Sequence, residues 1–153
     1  MLIKDIMSTA VRTVTPETPM MEVASIMCLY RISGLPVVND DNIMAGFIAE
    51  RDVLNYLFPS LDDVMDGMAA INFETLSENY GDISTLKTSD LMSPNVLFVD
   101  PELPILRAAS KMVQHRLRRI PVGVEEATGV RLLGVVSLGD IHKAMFHRYV
   151  SKS

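Results

Sequence analysis

The sequence predicts a mixed α/β fold made of two pseudo-symmetric copies, each ordered strand, helix, strand, strand, helix. Three observations predict it: a long internal repeat, an amphipathic helical stripe in each copy, and a pair of short apolar runs around a turn in each copy. The repeat sets the frame. Asp5-Ile6-Met7-Ser8 returns 85 positions later as Asp90-Leu91-Met92-Ser93, Val14-Thr15-Pro16-Glu17 as Val99-Asp100-Pro101-Glu102, and Pro19 as Pro104. Ala24, Ser25, Met27 and Arg31 match Ala109, Ser110, Met112 and Arg116, and Leu35-Pro36-Val37 matches Ile120-Pro121-Val122. Gly46 and Asp52 then match Gly134 and Asp140 at a spacing of 88, so three extra residues fall after Val122, where a hairpin loop tolerates them.

The helix of the first copy is signalled by Met20, Val23, Ala24, Met27 and Cys28, spaced i, i+3, i+4, i+7, i+8. Ile105, Ala108, Ala109, Met112 and Val113 repeat that stripe. Pro19 and Pro104 suit the first helical turn, where a missing N–H does no harm. Leu35 to Val38 and Gly46 to Ile48 flank the polar turn Asn39-Asp40-Asp41-Asn42 and predict a hairpin. Ile120 to Val124 and Leu132 to Val136 predict the second, with a longer loop containing Gly129. A closing helix is expected near Asp52 and near Asp140. The organisation is thus residues 1–58 as copy one, 59–86 as an acidic insert, and 87–153 as copy two. In the insert Leu61, Val64, Met65 and Met68 recur at helical spacing, so one or two surface helices with solvated acidic faces are expected.

Composition narrows the function. With 153 residues, 48% hydrophobic and 22% charged, the chain is long enough to bury roughly 70% of its unfolded-state surface and is far from disordered composition. Lys plus Arg is 14 against 19 Asp plus Glu, a net charge of −5, so no global positive field gathers nucleic acid or anionic lipid. The single cysteine, Cys28, cannot close an intrachain disulfide or build a cysteine-rich zinc site, which suits a reducing compartment. Lys4 and Asp5 interrupt any signal-peptide stretch and no run of about 18 apolar residues occurs, so a soluble cytoplasmic protein is expected. Cys28 lies on the apolar stripe and is expected to be a buried structural thiol, while Met27, Met44 and Met112 read as adaptable core. His142 and His147, five apart, do not share a helix face and read as solvated. No paired acid and base, activated nucleophile or metal set is evident, which argues against an enzyme.

The repeated strings Asp-Ile-Met-Ser, Val-Thr-Pro-Glu-Thr-Pro, Ile32-Ser33-Gly34-Leu35-Pro36-Val37-Val38 and Gly-x-x-x-x-x-Asp, in two ordered copies, resemble the tandem CBS-domain pair, or Bateman module. The resemblance covers about Ile3–Phe58 and Lys87–Phe146. It implies a pseudo-twofold α/β module with small sheets packed together and flanking helices, often dimeric. It also implies that AMP, ADP, ATP or S-adenosylmethionine, with or without Mg2+, binds as regulatory ligand in clefts between the copies, and that a regulated protein responds.

The strongest site candidate is Gly134-Val135-Val136-Ser137-Leu138-Gly139-Asp140, a strand running into a helix start whose unpaired N–H groups and dipole favour a phosphate. Ser137 can add a hydroxyl contact and Asp140 can accept from two ribose hydroxyls, the roles the resemblance implies for them. Ser137-x-x-Asp140 is equally a capping box, and the two roles can coexist. The family's pseudo-symmetry implies that Asp140 faces Ser33, Gly34, Leu35 and Pro36, with Thr9 at the base, and that Asp52 faces Arg118, Arg119, Ile120 and Pro121. Gly34 suits either close ligand approach or a plain loop. The second cleft departs from the pattern, since Ala49 stands where the family has serine or threonine. Its two arginines are suited to a phosphate chain, whereas Glu50 would oppose it if it pointed inward. His115-Arg116-Leu117-Arg118-Arg119 reads otherwise as cations complementing a helix C-terminus. Against the sensor stands a second reading, a constitutive dimeric scaffold with vestigial clefts.

Overall fold

The computed structural model describes residues 1–57 and 80–152. Two helices and two strands stand in the first copy: α1 (Met20–Tyr30), β1 (Gly34–Val38), β2 (Met44–Ala49) and α2 (Glu50–Leu57). The second repeats the order with α3 (Ile105–Gln114), β3 (Arg119–Glu126), β4 (Gly129–Ser137) and α4 (Leu138–Ser151). Short 3-10 turns at Ile3–Asp5 and Tyr80–Thr85 and a one-turn helix at Thr88–Leu91 complete the described chain. The chain divides into two compact units, Thr13–Asn39 with Ala45–Asn95, and Met1–Arg12 with Asp40–Met44 and Val96–Ser153.

In the first-copy unit β1 pairs with β2, Val14 adds a parallel bridge to Val37, and Ser93 bridges antiparallel to Phe47. Val23, Met27, Leu35, Val37, Ile48 and Ile83 pack as its core. The second-copy unit has the same plan: β3 pairs antiparallel with β4 from Arg119↔Ser137 to Glu126↔Gly129, Val99 bridges to Val122, and Ser8 bridges to Val135. Its core is Ile3, Ala108, Met112, Ile120, Val122 and Val136 with their neighbours. The first strand of each copy is thus reduced to a single bridging residue. The prolines that follow, Pro16 and Pro19 or Pro101 and Pro104, supply no N–H and bend the chain toward the helix. Pro19 and Pro104 themselves stand one residue before the helices, and their carbonyls accept the first intrahelical bonds.

The repeated Asp-x-Met-Ser segments change places. The Ile3–Ser8 arm is built into the second-copy unit, and the Lys87–Ser93 arm into the first-copy unit. The bonds match one for one. Ile3 N–H donates to the Leu103 carbonyl and Lys4 N–H to Pro101, as Thr88 donates to Thr18 and Ser89 to Pro16, all at 2.9 Å. The carbonyls of Met1 and Leu86 accept the first N–H of α3 and α1, groups that a helix leaves without an internal partner. Each arm ends by crossing a glycine: Ser8 exchanges two backbone bonds of 2.9 Å with Val135, and Ser93 exchanges bonds of 2.8 and 2.9 Å with Phe47. A Cβ at Gly134 would lie 2.5 Å from the Ser8 carbonyl oxygen, and one at Gly46 would collide with that of Ser93.

Several expectations change in the fold. The second hairpin has no long loop: β3 and β4 continue to a tight turn at Ala127 and Thr128, because Glu126 reaches Arg131 and the ladder holds to Gly129. Cys28 is exposed, not buried. Eight residues of helix place it about 80° around from Met20, at the edge of the stripe, and its counterpart Val113 is 66% exposed. Met27, Met44 and Met112 are buried as expected. The insert's predicted stripe at Leu61, Val64, Met65 and Met68 lies outside the described residues. Its end, Tyr80–Thr85, is a 3-10 turn whose Ile83 is fully buried in the first-copy core while Asp82 is exposed.

The arm geometry yields a stability test. Gly134→Ala should lower unfolding free energy by about 1–3 kcal/mol, the scale of overpacking against immobile backbone. Chemical denaturation measures it, and Gly139→Ala, where a Cβ meets only the Ser137 hydroxyl at 3.6 Å, should change it far less.

Candidate ligand-binding site

Local chain geometry sets each candidate side chain. At the start of α4 the Ser137 hydroxyl accepts the Asp140 N–H, and the Asp140 carboxylate accepts the Ser137 N–H, both at 3.0 Å. This is a complete capping box. At the start of α2 the Asp52 carboxylate accepts the Ala49 N–H at 2.8 Å, and Ala49 has no hydroxyl to return the bond. Asp5 and Asp90 do the same work, accepting the N–H of Leu2 at 2.9 Å and of Lys87 at 2.8 Å. All four repeated aspartates therefore bond to the N–H three residues back. Sequence reasoning recognised this at Asp140 and missed Asp5 and Asp90, although their place in the repeat carried the signal. Asp140 is exposed and Asp52 is half-buried. A carboxylate has acceptor capacity beyond one capping bond, so capping leaves room for a ligand hydroxyl.

The two ends of each hairpin meet at these helix starts. Arg119 is the register partner of Ser137, and the Arg118 carbonyl accepts the Leu138 N–H at 2.9 Å. Thr9 follows Ser8, which is bound to Val135, so Thr9, Arg118, Arg119, Ser137 and Asp140 belong to one unit. Ser33, Gly34, Leu35, Pro36 and Asp52 belong to the other, where the Ser33 carbonyl accepts the Glu50 N–H at 2.9 Å. Residues expected to share a cleft therefore come from different units.

Alternation along the strands separates core residues from residues on the opposite face. Leu35 and Ile120 are 1% and 0% exposed and belong to the cores, so they can offer a ligand only backbone groups. Pro36 and Pro121 are buried, and their carbonyls already accept the N–H of Val14 and Val99. Along β2 and β4, Phe47 and Ala49 correspond to Val135 and Ser137, all half-buried. A Cβ at Gly34 would lie 2.5 Å from the Phe47 ring, so this glycine makes room for an aromatic side chain on a neighbouring strand. The second copy has Arg119 and Val135 in those places. Sequence reasoning missed Phe47; the signal was a Phe with Gly in one copy and a Val with Arg in the other.

Arg118 and Arg119 are exposed beyond the end of α3, and Arg116 adopts a left-handed backbone with φ 56°, as Arg31 does at 53°. His142 and His147 are exposed. Glu50 lines a groove of about 200 Å3 between α1 and α2, with Ala24, Met27, Cys28, Val53 and Leu54. A matching groove of about 370 Å3 lies between α3 and α4, lined by Ile105, Leu106, Ala144, Met145, Arg148 and Tyr149 among others. Resolved pKa shifts lie elsewhere: a hydrogen bond from Arg131 holds Glu126 below the usual carboxylate range, and one to Glu102 raises Lys4. Among the described residues, no group of three or more His, Cys, Asp or Glu could hold a metal ion, and no helix is long and apolar enough to cross a membrane.

The doubled fold and its doubled Gly-x-x-x-x-x-Asp helix starts agree with the family profile that matches residues 3–59 and 89–147, that of the CBS domain. The chain belongs to the CBS-domain family. This CBS pair is 31% identical to protein MJ1426 of Methanocaldococcus jannaschii, over 95% of this chain and 91% of that one. It is 28% identical to hypoxic response protein 1 of Mycobacterium tuberculosis, over 90% and 80% of the two chains. Among solved structures, it superposes on CBSX2 in complex with AMP with a TM-score of 0.70 at 25% identity, covering 97% of this chain and 98% of that one. The CBS pair of MJ0100, solved with 5′-methylthioadenosine and S-adenosylmethionine, has the same fold at TM-score 0.64 and 22% identity, covering 95% and 99% of the two chains.

The half-built cap of α2 is directly testable. Ala49→Ser should complete the box and raise stability by about 0.5–1 kcal/mol, whereas Ser137→Ala should lower it by a similar amount. Paired thermal melts decide, and a destabilised Ala49→Ser would show that the α2 start lacks the geometry to accept the Asp52 N–H.

Proposed function

We propose that this CBS pair is a non-catalytic regulatory module that binds an adenosine-containing ligand and passes a conformational change to a partner protein. The carrying observation is an aspartate at each strand-to-helix corner, Asp52 and Asp140, joined at the second by the Ser137 hydroxyl, in a chain alike over nearly its whole length to a protein solved with AMP. AMP, ADP, ATP and S-adenosylmethionine are the ligand class, with or without Mg2+. Asp140 and Asp52 accept ribose hydroxyls, Ser137, Ser33 and Thr9 add hydroxyl contacts, and Gly34, Leu35 and Ile120 line the ligand with backbone, with Pro36 and Pro121 next to them in sequence. Arg118 and Arg119, exposed at the open end of the second hairpin, take the phosphates through charge-assisted bonds.

A ligand shifts such a module only through unequal affinity for two conformations, so a listening partner is part of the mechanism. The functional form is a homodimer. Its support is the pair of apolar grooves between helices, where Leu54, Leu106 and Tyr149 are 50%, 58% and 77% exposed. The single cysteine and acidic charge suit the cytoplasm.

Thermal unfolding with AMP, ADP, ATP, S-adenosylmethionine and GTP, with and without magnesium, tests the proposal. An adenosine ligand at about 100 times its dissociation constant should add roughly 2.7 kcal/mol of stability. Asp140→Ala should weaken that ligand by about 1.4–3 kcal/mol, the worth of a hydrogen bond to a charged group, as calorimetry would read. No shift with any adenosine compound would favour the constitutive scaffold. Arg119→Ala should narrow the preference for ATP over adenosine, and equal losses for both would remove it from a phosphate role.

A further inference from the structure

The turn of the first hairpin is built into the second copy. Asp40–Met44 belongs with β4 in one compact unit, while most of β1 and β2 belongs to the other. Ile43 bridges antiparallel to Arg131, the Leu132 N–H donates to the Asn42 carbonyl at 3.1 Å, and the Asn42 amide donates to the Leu132 carbonyl at 2.8 Å. The Arg131 guanidinium donates to the Asp41 carbonyl at 2.9 Å while Glu126 holds it from the other side at 2.6 and 2.9 Å. Ile43 is 5% exposed and packs where Gly129, at φ +136°, leaves no Cβ.

Among the described residues, no bridge or backbone hydrogen bond gives the turn of the second hairpin a matching arrangement. The three extra residues of the second copy lengthen its hairpin, giving strands of 8 and 9 residues against 5 and 6 in the first. A register shift between Val122 and Gly123 adjoins the stretch that receives the turn. Asn42 accepts a left-handed backbone, φ 63°, which brings both its carbonyl and its amide to Leu132. At its open end the first hairpin carries Ser33–Pro36 and Ala49–Asp52, and β4 runs directly into Ser137 and Asp140. The turn thus adjoins β2, which leads to Ala49 and Asp52, and is bonded to β4, which leads to Ser137 and Asp140.

We propose that the Asp40–Met44 turn is a clasp that couples the conformational stability of the two units, and, resting on the ligand proposal above, carries the effect of a ligand at one copy to the other. Two arrangements of a packed element are what transmit such an effect, and a clasped hairpin is an element both units bias.

The coupling is tested without ligand. Val23 is fully buried in the first-copy core and is none of the clasp residues, so Val23→Ala loosens that unit without altering the clasp's own groups. Amide exchange by mass spectrometry is then followed in α1 and β1 and, separately, in β3 and α4. With the clasp intact, Val23→Ala should speed exchange in both units by a similar factor, about tenfold or more. In an Asn42→Gly/Arg131→Ala background it should speed exchange in the first-copy unit alone. An equal response of both units in both backgrounds, or no second-copy response with the clasp intact, overturns the proposal. Should the double variant fail to fold, Asn42→Gly alone keeps the left-handed backbone and deletes one bond. It should then cut the second-copy response partway, and an undiminished response overturns the proposal equally. AMP added to the parent protein in a parallel run reads the ligand proposal by itself, since coupling can hold while AMP leaves exchange unchanged.

Discussion

The passage of a backbone arm over a glycine is the constraint on which the rest of this structure depends. Ser8 lies against Gly134 and Ser93 against Gly46, close enough that no side chain fits between them. Each contact closes an open sheet edge with two backbone hydrogen bonds and seats a buried residue, Ile3 or Thr88, at the side of a core. The same arm supplies a carbonyl to the first N–H of the neighbouring helix. Because each arm precedes its own copy in sequence and completes the other copy's unit, the two copies share their folding information. The repeat is therefore a requirement of the fold as well as a trace of duplication.

Symmetric backbone carries asymmetric chemistry. Both helix starts hold an aspartate bonded three residues back, so both corners are shaped alike. Their surroundings diverge: Gly34 under Phe47 and Ala49 in one copy, Arg119 with Val135 and Ser137 in the other. A small or aromatic surface and a cationic, hydroxyl-bearing surface differ in the groups they can contact, apolar and π faces for the first and anions or hydrogen-bonding groups for the second. The first repeat's turn, clasped to Arg131 and Leu132, breaks the symmetry again, now in the backbone. Duplicated geometry thus positions equivalent groups while substitutions within it assign them different work.

Much of this was legible in the residues. The helical stripes at Met20 to Met27 and Ile105 to Met112 are buried, and the first hairpin stands around its predicted turn, because both depend on neighbours within a few positions. Ser137 and Asp140 formed the capping box that their spacing announced. Cys28 misled because a stripe defines a direction and not its width, and the edge of α1 stays open beside α2. The second hairpin outran its expected strands because Arg131 finds Glu126 across the turn and Asp41 from ninety residues away.

By itself, the sequence determined the duplicated α/β plan, the family, the helix starts and the capping box at Asp140, since periodicity and capping are local consequences of residue type. Tertiary structure alone decided which copy each arm completes, why Gly46 and Gly134 must be glycine, and which hairpin tip is clasped. Those depend on contacts between segments from 46 (Phe47 with Ser93) to 127 (Ser8 with Val135) residues apart, where loop entropy opposes every pairing and only the sum of burial and backbone bonding selects one.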